Sequence, residues 1–185
     1  MSHFEEFKKK LGSVTKCRKA TDESIRAYKD KLPSALIEEW QETGWCAYGD
    51  GILWLIDPSE LQDVVEDWVG PSEDGLVFAR SAFGQMLVWN QEGASHIDVL
   101  YGMIAHLTDD VDFLFNYMLC EKNFLDSVLN RKLFRSAVKK LGQLEYDECY
   151  AFEPALALGG PGTLETLTKA KLREHLGLLS QLRGK

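Results

Sequence analysis

The chain has 185 residues and a formal net charge of −8, with 45% hydrophobic and 27% charged residues. This composition is typical of a soluble globular protein with one domain or two small ones, and it excludes disordered, collagen-like and coiled-coil chains. No apolar run approaches the roughly 20 residues that a membrane-spanning helix needs, and the N-terminal stretch lacks the apolar segment of a secretory signal.

The charge divides the chain into three blocks. Residues 1–31 and 122–185 each carry a net charge of +4, whereas residues 32–121 carry −16, from seventeen acidic residues and one basic residue, Arg80. Such an acidic block repels nucleic acid and anionic membranes, whose binding depends on Lys and Arg. We therefore predict neither as a partner. The block suits a basic protein partner, although acidic residues also simply keep proteins in solution.

Helical patterns come first along the chain. Ser2 to Glu5 form a capping box for a short helix, residues 13–20 are predicted to be a loop, and Thr21 caps a second helix. Pro33 suits the first turn of a third helix. The chain therefore opens with three short helices.

Strand patterns follow. Asp50-Gly51 between apolar runs indicates a hairpin, and the continuous apolar run Ile52–Ile56 indicates a buried strand. Asp57-Pro58 marks the start of an amphipathic helix. Two further strand pairs are predicted, 76–79 with 86–89 and 97–100 with 103–107.

Helical patterns return from Thr108 onward. They cover about 111–120, 124–129, 133–141 and 171–182, with a short strand at 148–152 and a turn at 159–162. Helices, then strands, then helices predict an α+β fold with an antiparallel meander flanked by N-terminal and C-terminal helices. We expect two regions, 1–115 and 116–185, packed together as one compact unit.

The cysteines are far apart in the sequence and form no CxxC pair. We interpret Cys17, Cys46, Cys120 and Cys149 as reduced thiols of a cytoplasmic protein. Cys149 is better explained as a buried structural cysteine than as a nucleophile, because the sequence places no histidine base beside it.

Motifs for metal, nucleotide or nucleophilic chemistry are missing. Asp109, Asp110 and Asp112 are clustered but lack the glycine and distal glutamate of a calcium loop, and their position favours a helix start. There is no phosphate-binding loop and no nucleophile elbow. We therefore predict no metal, no cofactor and no catalytic residue.

Arg80 is the one basic residue of the acidic block. We expect its guanidinium to pair with a carboxylate of that block, in a bidentate arrangement if the geometry allows. A ligand-binding arginine is the alternative.

Several stretches of the chain resemble two domains that occur together. Tyr28–Pro33, Asp50–Trp54 and Phe78–Gly84 resemble the GAD-like domain, and 147–160 resembles the domain that follows it in type VI secretion immunity proteins. The resemblance spans about residues 4–182 and assigns 1–115 to a GAD-like region and 116–185 to a C-terminal immunity-type region. The motif residues of unknown role are Trp54, Arg80, Phe83, Gly84, Glu148, Gly159 and Gly160.

The resemblance implies an immunity protein, which protects a bacterial cell from a delivered toxin. It implies a cytoplasmic, non-enzymatic antitoxin that binds the nuclease domain of a DNase effector stoichiometrically. For the oligomeric state we expect a monomer. A nuclease needs a basic, phosphate-binding surface, which the acidic block would complement. We therefore predict acidic toxin-binding residues in two groups, Glu60, Asp63, Glu66 and Asp67 after Pro58, and Asp109, Asp110 and Asp112.

Two other functions remain open. The Arg80 and Glu148 regions could converge in a pocket for a small anion or nucleotide, which would make the chain a ligand-binding or enzymatic domain. The chain could also be an interaction module that is unrelated to toxins.

Overall fold

The computed structural model describes residues 3–70 and 75–183. Three helices and one strand form the N-terminal part: α1 (Glu5–Leu11), β1 (Thr15–Arg18), α2 (Asp22–Tyr28) and α3 (Ser34–Glu42). The Thr21 side chain caps α2 by accepting a hydrogen bond from the Ser24 backbone N–H, as predicted. Ser2 of the predicted capping box lies outside the described residues, and Phe4 is the N-cap of α1.

The centre of the fold is a seven-stranded antiparallel sheet whose strands follow one another in chain order. After β1 come β2 (Trp45–Tyr48), β3 (Leu53–Leu55), β4 (Leu76–Ser81), β5 (Met86–Asn90), β6 (Gly93–Asp98) and β7 (Met103–Thr108). Between β3 and β4 lie a 3-10 turn, Pro58–Glu60, and α4 (Gln62–Val69). The predicted α+β meander is therefore confirmed.

The C-terminal part is mainly helical. It contains α5 (Val111–Asn116), α6 (Arg131–Leu141), a hairpin of β8 (Glu148–Phe152) and β9 (Leu167–Lys171), and α7 (Leu172–Leu182). The segment between α5 and α6 forms a 3-10 turn, Met118–Cys120, and a π-helical turn, Phe124–Val128. None of the helices within 3–70 and 75–183 is both long and apolar enough to cross a bilayer.

Burial falls from the middle of the sheet towards β7. Every residue of β2 and β3 is buried, so both faces of the sheet are covered there, which explains the continuous apolar run at 52–56. In β7, by contrast, the first four residues are all exposed. The core therefore lies around the central strands, and the last strand extends beyond it.

Two strands differ from the sequence prediction. Residues 13–20 are not all loop, because β1 pairs with β2 through a register that accommodates one extra residue. β9 was also not predicted, and it completes the small sheet with β8. Both strands are rich in charged and polar residues, so neither shows the apolar pattern from which strands are predicted.

The interpretation of all four cysteines as reduced thiols is wrong for two of them. Cys17 and Cys46 form a disulfide between β1 and β2, with their Cα atoms 4.1 Å apart. The two residues are 29 positions apart in the sequence, and only the pairing of these strands brings them together. Cys120 and Cys149 are free. The cysteines therefore no longer support a cytoplasmic location, because disulfides are rare in that compartment.

Candidate partner-binding surface

The first predicted acidic group lies on α4 and the turn before it. Asp57 caps that turn by accepting a hydrogen bond from the Ser59 N–H. Val64, Val65 and Trp68 form the buried face of the helix, so the acidic side chains that α4 itself carries are exposed. This exposure follows directly from the amphipathic pattern.

Two members of this group already have basic partners. Glu60 forms an ion pair with Arg18, and Asp63 forms one with Arg173. The hydrogen bond from Arg173 is the main cause that lowers the pKa of Asp63. Within the described residues, Glu66 and Asp67 are exposed and have no ion pair. Half of the group is therefore neutralised within the molecule.

The second acidic group lies where β7 ends and α5 begins. Asp110 caps α5, because its Oδ1 accepts a hydrogen bond from the Phe113 N–H at 2.9 Å. Asp109 and Asp112 are exposed and have no ion pair among the residues described. Over the same residues, no three His, Cys, Asp or Glu side chains gather as a metal site.

The two acidic groups lie on different parts of the fold. α4 packs against β4 and α7, whereas α5 packs against α1 and β7. Only the second group adjoins a feature that sequence reasoning missed, the exposed edge strand β7. The sequence pattern 103–107 predicts a strand but not its position at the edge of the sheet, so it does not show that the apolar residues of this strand are exposed.

Arg80 is completely buried in β4 and has no carboxylate partner in the described structure. The expected carboxylate pair is therefore wrong. Its Nη2 donates to the Tyr146 carbonyl at 2.7 Å, and its Cζ lies 4.2 Å from the centre of the Trp54 ring. Burial lowers the pKa of Arg80 to about 10. Arg80 has no carboxylate partner in the described structure because it lies in the core, whereas the acidic residues of this block are mostly at the surface.

The motif around Phe83 and Gly84 joins the sheet to the C-terminal part. A Cβ on Gly84, whose φ is +83°, would lie 2.9 Å from a Leu176 methyl of α7. Phe83 stacks with Phe152, their ring centres 6.3 Å apart. The Ala82 carbonyl accepts a hydrogen bond from the Tyr150 N–H. These contacts explain why this turn carries small and aromatic residues.

Glu148 and the glycine motif also make local contacts. The Glu148 carboxylate accepts a hydrogen bond from the Glu145 N–H at 2.8 Å, the main cause that lowers its pKa, and lies 3.5 Å from Lys169 Nζ. Gly159 ends a 3-10 turn. At Gly160 an added Cβ would lie 2.0 Å from the Pro154 carbonyl oxygen, so no larger residue fits.

Arg80 and Glu148 therefore do not converge. Arg80 points to Tyr146, whereas Glu148 points to Lys169. Neither of them lines the cavity of about 720 Å³ beside Gly160 or the one of about 410 Å³ beside Tyr146. Burial raises the pKa of the neighbouring Cys149 thiol to about 12, which leaves it a poor nucleophile at neutral pH.

Comparison with known proteins supports the order of domains. The family model described as the GAD-like domain matches residues 2–102, and the model described as the C-terminal domain of the type VI secretion immunity protein Tdi1 matches residues 108–183. No curated protein matches the chain.

Among solved structures, the crystal structure of Atu4351 from Agrobacterium tumefaciens is similar. Its TM-score is 0.81 at 18% sequence identity, over 96% of this chain and 88% of that chain. This likeness shows a shared fold.

Proposed function

Because the chain belongs to the GAD-like family and continues into the C-terminal domain of the type VI secretion immunity protein Tdi1, we propose that it neutralises a DNase toxin by stoichiometric binding. The observation that carries this proposal is the consecutive match of both domains over nearly the whole chain. A DNase acts on DNA, so we propose that neutralisation takes place in the cytoplasm. This location follows from the proposed target alone, since the Cys17–Cys46 disulfide does not support it. Neutralisation by binding requires no catalytic activity of the antitoxin.

The charge of the molecule supports a basic partner. Residues 32–121 carry a net charge of −16. Among the proposed contact residues, Glu66, Asp67, Asp109 and Asp112 are exposed without an ion pair in the described chain, so their charges are available to a partner. Opposite charge accelerates association and adds specificity, and both effects weaken with salt.

The ligand-binding alternative has less support. It required Arg80 and Glu148 to face one pocket, and their hydrogen-bonding partners lie in different places. The described contacts of both residues are structural. We therefore favour the antitoxin function.

The proposal is tested by co-expressing the chain with the product of the adjacent gene and measuring complex formation and nuclease activity on plasmid DNA. We expect a 1:1 complex on size exclusion and loss of DNA cleavage, with association slowed at least about tenfold between 50 and 500 mM NaCl. Absence of a complex at low salt, with both proteins folded by circular dichroism, would overturn the proposal.

A further inference from the structure

We propose that the free edge of β7 and the apolar side chains beside it form the toxin-docking surface. An extended segment of a basic toxin domain would pair with Met103–His106 as an eighth strand. This inference rests on the proposed function and identifies the surface that performs it. We call this surface the β7 edge surface, and its apolar members are Tyr101, Met103, Ile104, Phe113 and Tyr117.

The β7 edge surface concentrates exposed apolar side chains. Seven large hydrophobic residues are exposed in the described chain, and five of them lie between residues 101 and 117. Met103 and Ile104 are 59% and 42% exposed, and Phe113 stacks on Tyr117 with 5.4 Å between ring centres. Single exposed apolar residues are ordinary, but a cluster of this kind marks an interaction site.

The main chain of β7 is available for pairing. Met103–His106 pair regularly with Ser95–Asp98 of β6, and the one extra residue of β7 comes only after His106. β7 has no strand on its other side in the described sheet. An edge strand directs every second N–H and C=O outward, and Met103–His106 contain no Lys or Pro to block an added strand.

Both faces of the sheet are open at the same place. Successive residues of a strand point to opposite faces, and Met103, Ile104, Ala105 and His106 are all exposed. A strand added here could therefore contact β7 through its backbone and through side chains on both faces. α5 packs against β7. Phe113 on α5 and Tyr117 directly after it are exposed, and we assign both to this surface.

The negative charge around the β7 edge surface favours a basic binding partner. Residues 81–121 contain no Lys or Arg and six acidic residues. Asp109 and Asp112, which have no ion pair in the described chain, border the β7 edge surface. A second copy of this chain would bring the same negative charge to the contact, whereas a DNA-cleaving domain must be basic. We therefore assign the surface to the toxin and not to self-association.

The test places lysines on the edge. Met103→Lys/Ile104→Lys adds two positive charges to β7, which repel a basic partner and oppose strand pairing. Leu178→Lys/Leu158→Lys is the matched control, because these residues are 52% and 63% exposed and lie in the C-terminal part. Binding to the adjacent-gene product is measured by isothermal titration, with thermal unfolding and size exclusion of each free variant.

We expect the edge variant to bind at least about 100-fold more weakly and the control to stay within about threefold of the wild type. Tyr117→Lys, at a residue that directly follows α5 and is 61% exposed, provides a second variant that does not alter the strand and is expected to weaken binding about tenfold.

Equal binding by the edge variant, the control and the wild type would overturn this inference and leave the proposed function intact. A wild-type dimer that the edge lysines dissociate, with toxin binding unchanged, would overturn it in favour of self-association. A wild-type chain that binds no toxin would overturn both proposals.

Discussion

β1 and β7 occupy equivalent positions at the two edges of one sheet, but β1 is short, charged and cross-linked, whereas Met103–His106 of β7 pair regularly and contain no Lys or Pro. β1 is four residues long, contains Lys16 and Arg18, and has an irregular register against β2. The disulfide between Cys17 and Cys46 attaches it to its neighbour. Charges, bulges and short length are the usual protection of an edge strand.

The acidic residues near the two edges also differ, because in the part of the chain described those near β1 form ion pairs and those near β7 do not. Near β1 the acids are paired, since Arg18 binds Glu60 and Lys16 binds Glu145. Near β7, Asp109 and Asp112 have no ion pair in the described structure. One edge of the sheet is therefore closed by local contacts, while the other presents unpaired backbone, exposed apolar side chains and negative charge together.

Loss of the disulfide at the β1 edge should have the largest effect on stability. Cys17→Ser/Cys46→Ser should lower the free energy of unfolding by about 2–4 kcal/mol, because the cross-link no longer restricts the unfolded chain. Toxin affinity should stay within about threefold of the wild type, because β1 is assigned no contact. Urea unfolding and titration calorimetry measure the two quantities. A large loss of affinity in a folded variant would contradict the contrast between the edges.

Removal of charge should slow association with the toxin more in the second acidic group than in the first. Asp109→Asn/Asp112→Asn should slow association with the toxin by about three- to tenfold at low salt, since it removes unpaired charges beside β7. Glu60→Gln/Asp63→Asn removes the same number of charges, but these are paired with Arg18 and Arg173, so association should change less than about twofold. Stopped-flow association at 50 mM and 500 mM NaCl gives both rates. Equal slowing by the two variants would show that only total charge matters.

The pH dependence of the Asp63–Arg173 pair should give the smallest effect. Hydrogen bonding to Arg173 lowers the pKa of Asp63. A lowered folded-state pKa adds stability above the unfolded value of about 3.9, and this contribution is lost as pH falls through the folded pKa. Both side chains are more than half exposed, so solvent screening limits the contribution to about 0.5 kcal/mol.

The measurement compares Asp63→Asn with the wild type by urea unfolding from pH 6 to pH 2.5. We expect the difference in unfolding free energy to be present at pH 6 and to disappear at the acid end. A difference that persists at pH 2.5 would show that Asp63 stabilises the fold by something other than its charge.

The elements with strong apolar periodicity could be predicted from the sequence. The hairpin at Asp50-Gly51, the buried strand after it and the caps at Thr21 and Asp57 all follow from short-range chemistry. β1 and β9 could not, because their residues are charged or polar and their pairing comes from the strands beside them. The apolar periodicity of a segment indicates which of its faces are buried, but it does not indicate which other segment it pairs with.

For the candidate site, the sequence predicted only which acidic residues are exposed. Acidic residues at Glu66, Asp67, Asp109 and Asp112 are exposed because amphipathic helices and caps place them there. The pairing of Glu60 and Asp63 with arginines more than 40 residues away in sequence could not be predicted. The sequence also suggested a carboxylate for Arg80, whereas the fold surrounds that side chain with Trp54 and a carbonyl.

The α+β class, the meander of the middle strands, the acidic character of the middle of the chain and the family all follow from the amino-acid sequence. These depend on residue type and local spacing. The disulfide between Cys17 and Cys46, the burial of Arg80 in the core and the open edge of β7 depend instead on the three-dimensional fold. Pairing and exposure depend on which segments become neighbours in space, and residues that are distant along the chain determine those neighbours.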